Sequence, residues 1–341
     1  MLAINKHTHK CVRVIASHFD IPRMYCSETE GRKFHMIIYR ELSSLSKDLE
    51  VPSSTLYKLS NRINESYHKV EIPKKNGGKR TLSVPSDDLK AVQRKIVSVL
   101  LSKEPISVYA TAYRYGTSTA HNASPHVNKD IVLKLDILHF FDSILYSDVK
   151  NKVFPAKKYS EQIRILLAIL CYHKDSLPQG APSSPAITNI IMRDFDNTVG
   201  NWCKKKNITY TRYCDDMTFS GNFDVKEVIE FINTQLHKEG FLLNYAKTKI
   251  LKRGSRQEVT GIVVNEKLSI PADYKRRLRQ EVYYCKKYGF NSHMAHIDFD
   301  GNESSYIFRL LGKINYILSV TPYDKQMLDW KKWLTDELKK Y

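Results

Sequence analysis

The chain has 341 residues, enough to bury a full core and to form two or three subdomains. Lys plus Arg number 54 against 36 Asp plus Glu, and the net charge of +18 favours polyanions, nucleic acid first and an anionic membrane surface second. No apolar run reaches the roughly 20 residues of a membrane span, and the absence of CxxC among six cysteines and of HExxH among twelve histidines excludes the usual zinc patterns and suggests reduced thiols in a cytoplasmic protein.

Residues 1–60 read as a helical N-terminal extension without chemistry of its own. Met1 to Pro22 holds too short an apolar stretch for a signal peptide. Phe34 to Leu49 has apolar residues at helical spacing, and Ser53 is placed to cap a following helix. Val70 to Pro85 reads as a β-hairpin, because Asn76-Gly77-Gly78 is a strong turn signal between extended runs. Lys74, Lys75, Lys79 and Arg80 gather at its tip and flanks, although a basic hairpin alone is more often simply solvated. Ser86 to Lys103 puts Leu89, Val92, Ile96, Val99 and Leu100 on one helical face, with Pro105 beyond its end. Thr111 to His126 is a polar loop in which Asn122 and His126 offer amide and imidazole donors.

Ile131 to Leu135 is an apolar strand that ends on Asp136, and Ile137 to Phe141 continues beyond it. Glu161 to Tyr172 is a buried helix. Leu177 to Pro185 has three prolines and one glycine in nine residues and cannot be helical. A helix from about Pro185 turns Ala186, Ile190 and Ile191 inward. Ile208 to Tyr213 and Met217 to Ser220 read as antiparallel strands around a tight turn that holds Asp215 and Asp216. Val225 to Glu239 is amphipathic and ends at Gly240. Val259 to Asn265 is a strand and turn. Three helices fit from Ala272 on, at roughly 273–288, 304–320 and 324–340. The first carries Lys275, Arg276, Arg277, Arg279, Lys286 and Lys287, interleaved with Tyr283, Tyr284 and Tyr288. Bases plus aromatics suit RNA, and part of the pattern is the ordinary exposed and core face of a helix.

A lone Asp-Asp pair is unremarkable in a solvated turn, but adjacent carboxylates repel and want a cation. A carboxylate at the end of a buried strand is costly unless paired or metal-bound. Asp136, Asp215 and Asp216 from two strand ends can together hold two divalent ions about 3.5–4 Å apart, the arrangement of polymerases and nucleases. Mg²⁺ takes such oxygen ligands together with substrate phosphates.

The order of an Asp-ended strand, Leu177-Pro178-Gln179-Gly180 and Tyr213-Cys214-Asp215-Asp216 resembles the palm of reverse transcriptases. Asn122-Ala123-Ser124-Pro125-His126 and Val259-Thr260-Gly261 resemble the two signatures of the bacterial retron group. The resemblance covers about residues 70–270 by motif and the C-terminal thumb by position. It implies an α+β right-hand polymerase, with fingers and palm over 61–267 and a helical RNA-binding thumb over 268–341. It implies two Mg²⁺ held by Asp136, Asp215, Asp216 and the Ile137 carbonyl. Lys74 or Lys75, with Arg80, would clamp the triphosphate. Phe141, or else Phe140, would exclude a 2′-hydroxyl. Gln179 would touch nucleotide or template, and Gly180 would let a backbone approach a base pair. Lys247 would protonate the leaving pyrophosphate, and Val259 to Asn265 would form the primer grip. Asn122 and His126 would lie in the RNA-facing loop, and Lys275, Arg276, Arg277 and Arg279 would bind RNA. Cys214 stands where Ala is usual and raises a question of redox sensitivity.

The same resemblance implies deoxynucleotide substrates, a cognate structured noncoding RNA, priming from an internal guanosine 2′-hydroxyl and a branched RNA–DNA product. It implies antiphage defence with a separate effector protein. The 76 residues after Asn265 are too few for a thumb plus an RNase H domain, so a host RNase H would remove copied template. Three alternatives stay open: a group II intron-like or other defence reverse transcriptase, an RNA-dependent RNA polymerase, and a non-catalytic RNA-binding scaffold.

Overall fold

The computed structural model describes residues 38–73 and 77–340. The expected helix start at Phe34, the Met1 to Pro22 stretch and both Lys74 and Lys75 lie outside them. The central element is a four-stranded antiparallel sheet made of β3 (Ile131–Asp136), β4 (Thr209–Tyr213), β5 (Asp216–Gly221) and β6 (Lys249–Lys252). Its spatial order is β4-β5-β3-β6. Side chains alternate across a strand, so the register Leu133↔Phe219, Leu135↔Met217 and Tyr210↔Phe219 fixes one face. Those five side chains are apolar and buried. The other face carries Asp136↔Asp216, Lys134↔Thr218 and Val132↔Ser220.

The apolar face packs into a core shared with helices Glu161–Cys171, Ser184–Ile191, Arg193–Lys205 and Val225–Lys238. Each side chain fully enclosed there contributes about 1.5–3 kcal/mol. Helices Leu42–Leu49 and Ser53–Asn61 join the same core through Leu45, Leu49, Leu56 and Leu59, so residues 42–61 share the core of the sheet rather than forming a separate extension. Ser53 is the first helical residue and makes no side-chain cap. Ser86 does cap its helix, Asp87–Val99, by accepting from the Leu89 N–H at 3.5 Å.

The expected hairpin forms from β1 (Tyr67–Pro73) and β2 (Lys79–Pro85), paired from Tyr67↔Pro85 to Pro73↔Lys79. A second core contains Val259, Ile262, Leu278, Val282, Tyr306, Leu310, Ile314, Met327 and Leu334. It includes Ala123 and Val132 as well, so it closes over the second face of the sheet and begins upstream of residue 268. Its helices are Ala272–Tyr288, Phe290–His296, Glu303–Val320 and Lys325–Leu338. The short second one was not anticipated; Gly289, at φ +82°, breaks what sequence periodicity leaves open. Among the described residues no helix is long and apolar enough to cross a membrane.

Candidate active site

Strand pairing alone gathers the three aspartates. Asp136 ends β3 directly opposite Asp216, which begins β5. Tyr213↔Asp216 closes the β4–β5 hairpin, leaving Cys214 and Asp215 as its two turn residues. The Ile137 N–H donates to the Asp215 carbonyl at 3.1 Å and fixes the turn against the end of β3. Asp136 is 4% exposed, whereas Asp215 and Asp216 are half-buried. Burial, then the charges of Asp215 and Asp136, push the Asp216 carboxyl above its ordinary range; Lys134 and Lys247 act the other way.

The cation beside Asp136 is Lys247, whose Nζ donates to Oδ2 at 2.9 Å. Burial opposes the Lys247 charge, but the bond to Asp136 and the fields of all three aspartates outweigh it and raise the ammonium's pKa. Asn244, to which the sequence reading gave no role, donates its side-chain amide to Asp136 Oδ1 at 2.9 Å and its N–H to the Asp136 carbonyl at 2.8 Å. Its signal was its place three residues before Lys247. Among the described residues no three Asp, Glu, His or Cys side chains already converge as a metal cage. The donor set nevertheless fits a hard divalent cation: three mutually repelling carboxylates, with a lysine on the one most deeply buried.

Phe140 and Phe141 divide their roles. Phe140 is core, packed on Phe241, and Phe141 is half-buried and meets Phe140 edge-on at 5.6 Å. Gln179 is exposed and Arg80 is exposed on β2. Gly180 is explained differently from expectation. A Cβ there would lie 2.6 Å from the Ser83 carbonyl oxygen, so the backbone that glycine admits is that of the β1–β2 hairpin.

The family comparison matches the model described as "Reverse transcriptase (RNA-dependent DNA polymerase)" over residues 72–279. The retron Ec86 reverse transcriptase of Escherichia coli is 30% identical over 304 residues, covering 87% of this chain and 89% of the relative. The chain belongs to the bacterial retron reverse transcriptases. The retron Mx65 reverse transcriptase of Myxococcus xanthus is 34% identical over 249 residues, 67% of this chain and 58% of its own length. The retron Mx162 reverse transcriptase of the same organism is 30% identical over 312 residues, and 64% of its length is spanned. The chain thus spans less than two thirds of these two relatives.

Each retron-like signature places residues in the interior: Asn122, Ala123 and His126 of the first and Val259 of the second. Asn122 and His126 are buried, which corrects the expectation that they face RNA. His126 bonds Ser220 Oγ at 2.7 Å through Nδ1 and Thr211 Oγ1 at 2.8 Å through Nε2, clasping β5 and β4 together. The Asn122 amide donates to Thr260 Oγ1 at 3.3 Å, so the two signatures meet. Thr260 (φ +47°) and Gly261 (φ +82°) form the two-residue turn between β7 (Glu258–Val259) and β8 (Ile262–Val263). Both residues have the positive φ such a hairpin turn favours. A β-branched residue resists that conformation, and the Thr260 hydroxyl offsets the strain by also donating to the Thr119 carbonyl at 3.2 Å. The joint ties the palm sheet to the root of the second core.

The surroundings of Cys214 bear on the question of its redox sensitivity. It is buried, and burial, with the Asp215 charge, pushes its thiol up to about 12. Little thiolate forms there, which argues against redox sensitivity. The other described cysteines, 171, 203 and 285, are free and buried as well. On the first helix of the second core, Lys275 is spent on Asp324 at 2.8 Å, and Arg277 pairs with Asp273 at 2.9 Å. Arg276 and Arg279 are exposed and have no ion-pair partner among the described residues. They share a helical face with Tyr283, over which the Lys287 ammonium lies at 5.6 Å.

Proposed function

We propose that this chain is the RNA-directed DNA polymerase of a retron. In this reading it copies part of a cognate structured noncoding RNA into single-stranded DNA from an internal guanosine 2′-hydroxyl. The observation that carries the reading is the pairing of Asp136 with Asp216, with Asp215 at the same sheet end. Asp136, Asp215 and Asp216, with the Ile137 carbonyl, would hold two Mg²⁺, which supply activation of the primer hydroxyl and neutralisation of the departing pyrophosphate. Asn244 orients Asp136, and Lys247 balances its charge and is the proton donor to the leaving group. Arg80, with Lys74 or Lys75, binds the triphosphate, Gln179 contacts nucleotide or template, and Phe141 lies under the sugar. The partners are the RNA, its DNA product, deoxynucleotides, a host RNase H and a separate effector in cytoplasmic antiphage defence.

Nucleic acid isolated with the protein is expected to contain a short DNA whose 5′ end resists exonuclease because it is joined to RNA. Debranching enzyme frees that end and protease does not. A tyrosine-linked DNA, or a free 5′ phosphate before debranching, would point instead to another defence or group II intron-like reverse transcriptase.

Phe141→Val is expected to admit ribonucleotides while Phe140→Val mainly lowers stability, as the different burial of the two rings requires. Parallel single-nucleotide incorporation with both sugar classes checks this, and an unchanged preference in Phe141→Val moves the gate elsewhere. In the thumb, Arg276→Gln with Arg279→Gln should flatten the salt dependence of RNA binding by about 0.7–0.9 for each phosphate no longer neutralised. Lys275→Gln should instead lower thumb stability, because it breaks the half-buried pair with Asp324. Equal binding of cognate and random RNA before and after the arginine changes would reduce the thumb to a generic clamp.

A further inference from the structure

One charged cluster behind the site has no role in the chemistry above. Arg212 lies on β4 two residues before Cys214, on the apolar face of the sheet, and is 0% exposed. Its Nε and Nη2 hold Asp196 Oδ1 and Oδ2 at 2.8 and 2.6 Å, and Nη2 also reaches Asn189 Oδ1 at 3.3 Å. Its Nη1 donates to the Cys214 carbonyl at 2.9 Å. Asp196, equally buried, also accepts from the Tyr210 hydroxyl at 2.9 Å. The Arg212 backbone is pinned too: its N–H donates to the Tyr109 carbonyl at 2.8 Å, and its carbonyl accepts from the Thr111 N–H at 2.9 Å.

Stability does not account for this pair. A wholly buried ion pair repays its desolvation poorly, and well-packed apolar residues of similar volume often serve as well or better. Apolar residues cannot donate to the Cys214 carbonyl, however. Cys214 sits at φ +61°, a conformation a non-glycine residue holds only when its surroundings impose it. The next two residues are Asp215 and Asp216. A rigid guanidinium fork, oriented by Asp196 and Asn189 on two helices, therefore grips the strained corner of the catalytic turn from behind.

We infer that Arg212, oriented by Asp196, is a positioning residue that holds the Cys214-Asp215 turn in the geometry the reaction needs. The inference rests on the polymerase reading. A wild-type protein that fails to extend a primer would defeat that reading, whereas the outcomes below presuppose an active wild type. A misplacement of about 1 Å at a reacting group costs up to about 10²-fold. Arg212→Lys, which keeps the charge but loses the fork, and the apolar double variant Arg212→Met with Asp196→Leu are therefore expected to lose roughly 10- to 100-fold in kcat. Nucleotide KM and RNA affinity should stay near wild type, and more divalent cation should be needed for half-maximal rate.

A second measurement needs no activity. Site-resolved alkylation of the folded protein should speed up several-fold at Cys214 in both variants, with Cys171 and Cys285 unchanged. Wild-type kcat in the double variant would overturn the inference and leave the pair as core filling. So would alkylation that rises equally at all three cysteines, because the loosening would then be global.

Discussion

Asp215→Asn or Asp216→Asn is expected to abolish DNA synthesis while leaving the fold and RNA binding in place. Removing one preorganised electrostatic contact to a transition state costs about 10²–10³-fold, and a carboxylate that holds the cation should cost at least roughly that much. The stability side separates this from simple unfolding. Burial and the charges of Asp215 and Asp136 raise the folded-state pKa of Asp216. Its ionisation therefore disfavours the fold, a penalty that appears as pH rises through the ordinary carboxylate range and is complete above the raised value. At position 216 a neutral asparagine removes that penalty, so at neutral pH the metal-free Asp216→Asn variant should melt at the wild-type temperature or above it. At acid pH, where the carboxyl is protonated in both states, the advantage should vanish. Primer extension, RNA binding and melting curves of the same preparations check the three statements together. Normal extension by either variant would remove the carboxylates from the mechanism.

The gathering of the three aspartates at one sheet end was legible because it depends on short-range pattern. Alternation places Leu133, Leu135, Met217 and Phe219 on one face, and the aspartates then follow from where the strands stop. The β1–β2 hairpin was legible from its glycines for a similar reason. What could not be read were partners distant in sequence. Nothing local distinguishes an Asn122 that faces RNA from one that donates to Thr260, 138 residues away. Lys275 reads as one of a basic cluster until Asp324 is found beside it. Gly180 reads from the sequence as a place of close approach to a base pair, and the neighbour the structure puts against it is the β2 backbone at Ser83. Arg212 offered a signal that went unused: an arginine at an inward position of a strand has to find a buried acid, and Asp196 was there to be sought.

Acidification from pH 7 to 5 is expected to cost the fold about 2 kcal/mol through His126 alone. Burial, then the charge of Lys129, pushes this imidazole down from 6.5 to about 3. A histidine held neutral in the folded state contributes stability that is fully present above its unfolded value. The contribution drains away as pH falls from that value toward the folded one, because only the unfolded chain takes up the proton. Each pH unit below about 6.5 removes about 1.4 kcal/mol. His173 and His293 are also shifted down by burial and add to the slope, so a difference between variants is needed to isolate His126. His126→Gln keeps an amide donor and acceptor near Thr211 and Ser220 but cannot titrate. It should be less stable than wild type at pH 7 and should lose less on acidification, by about 2 kcal/mol at pH 5. Urea unfolding of both proteins at the two pH values reads this directly. Parallel slopes would mean that His126 titrates alike in the folded and unfolded chain, and its enclosed bonds to both strands of the β4–β5 hairpin would then have no bearing on acid stability.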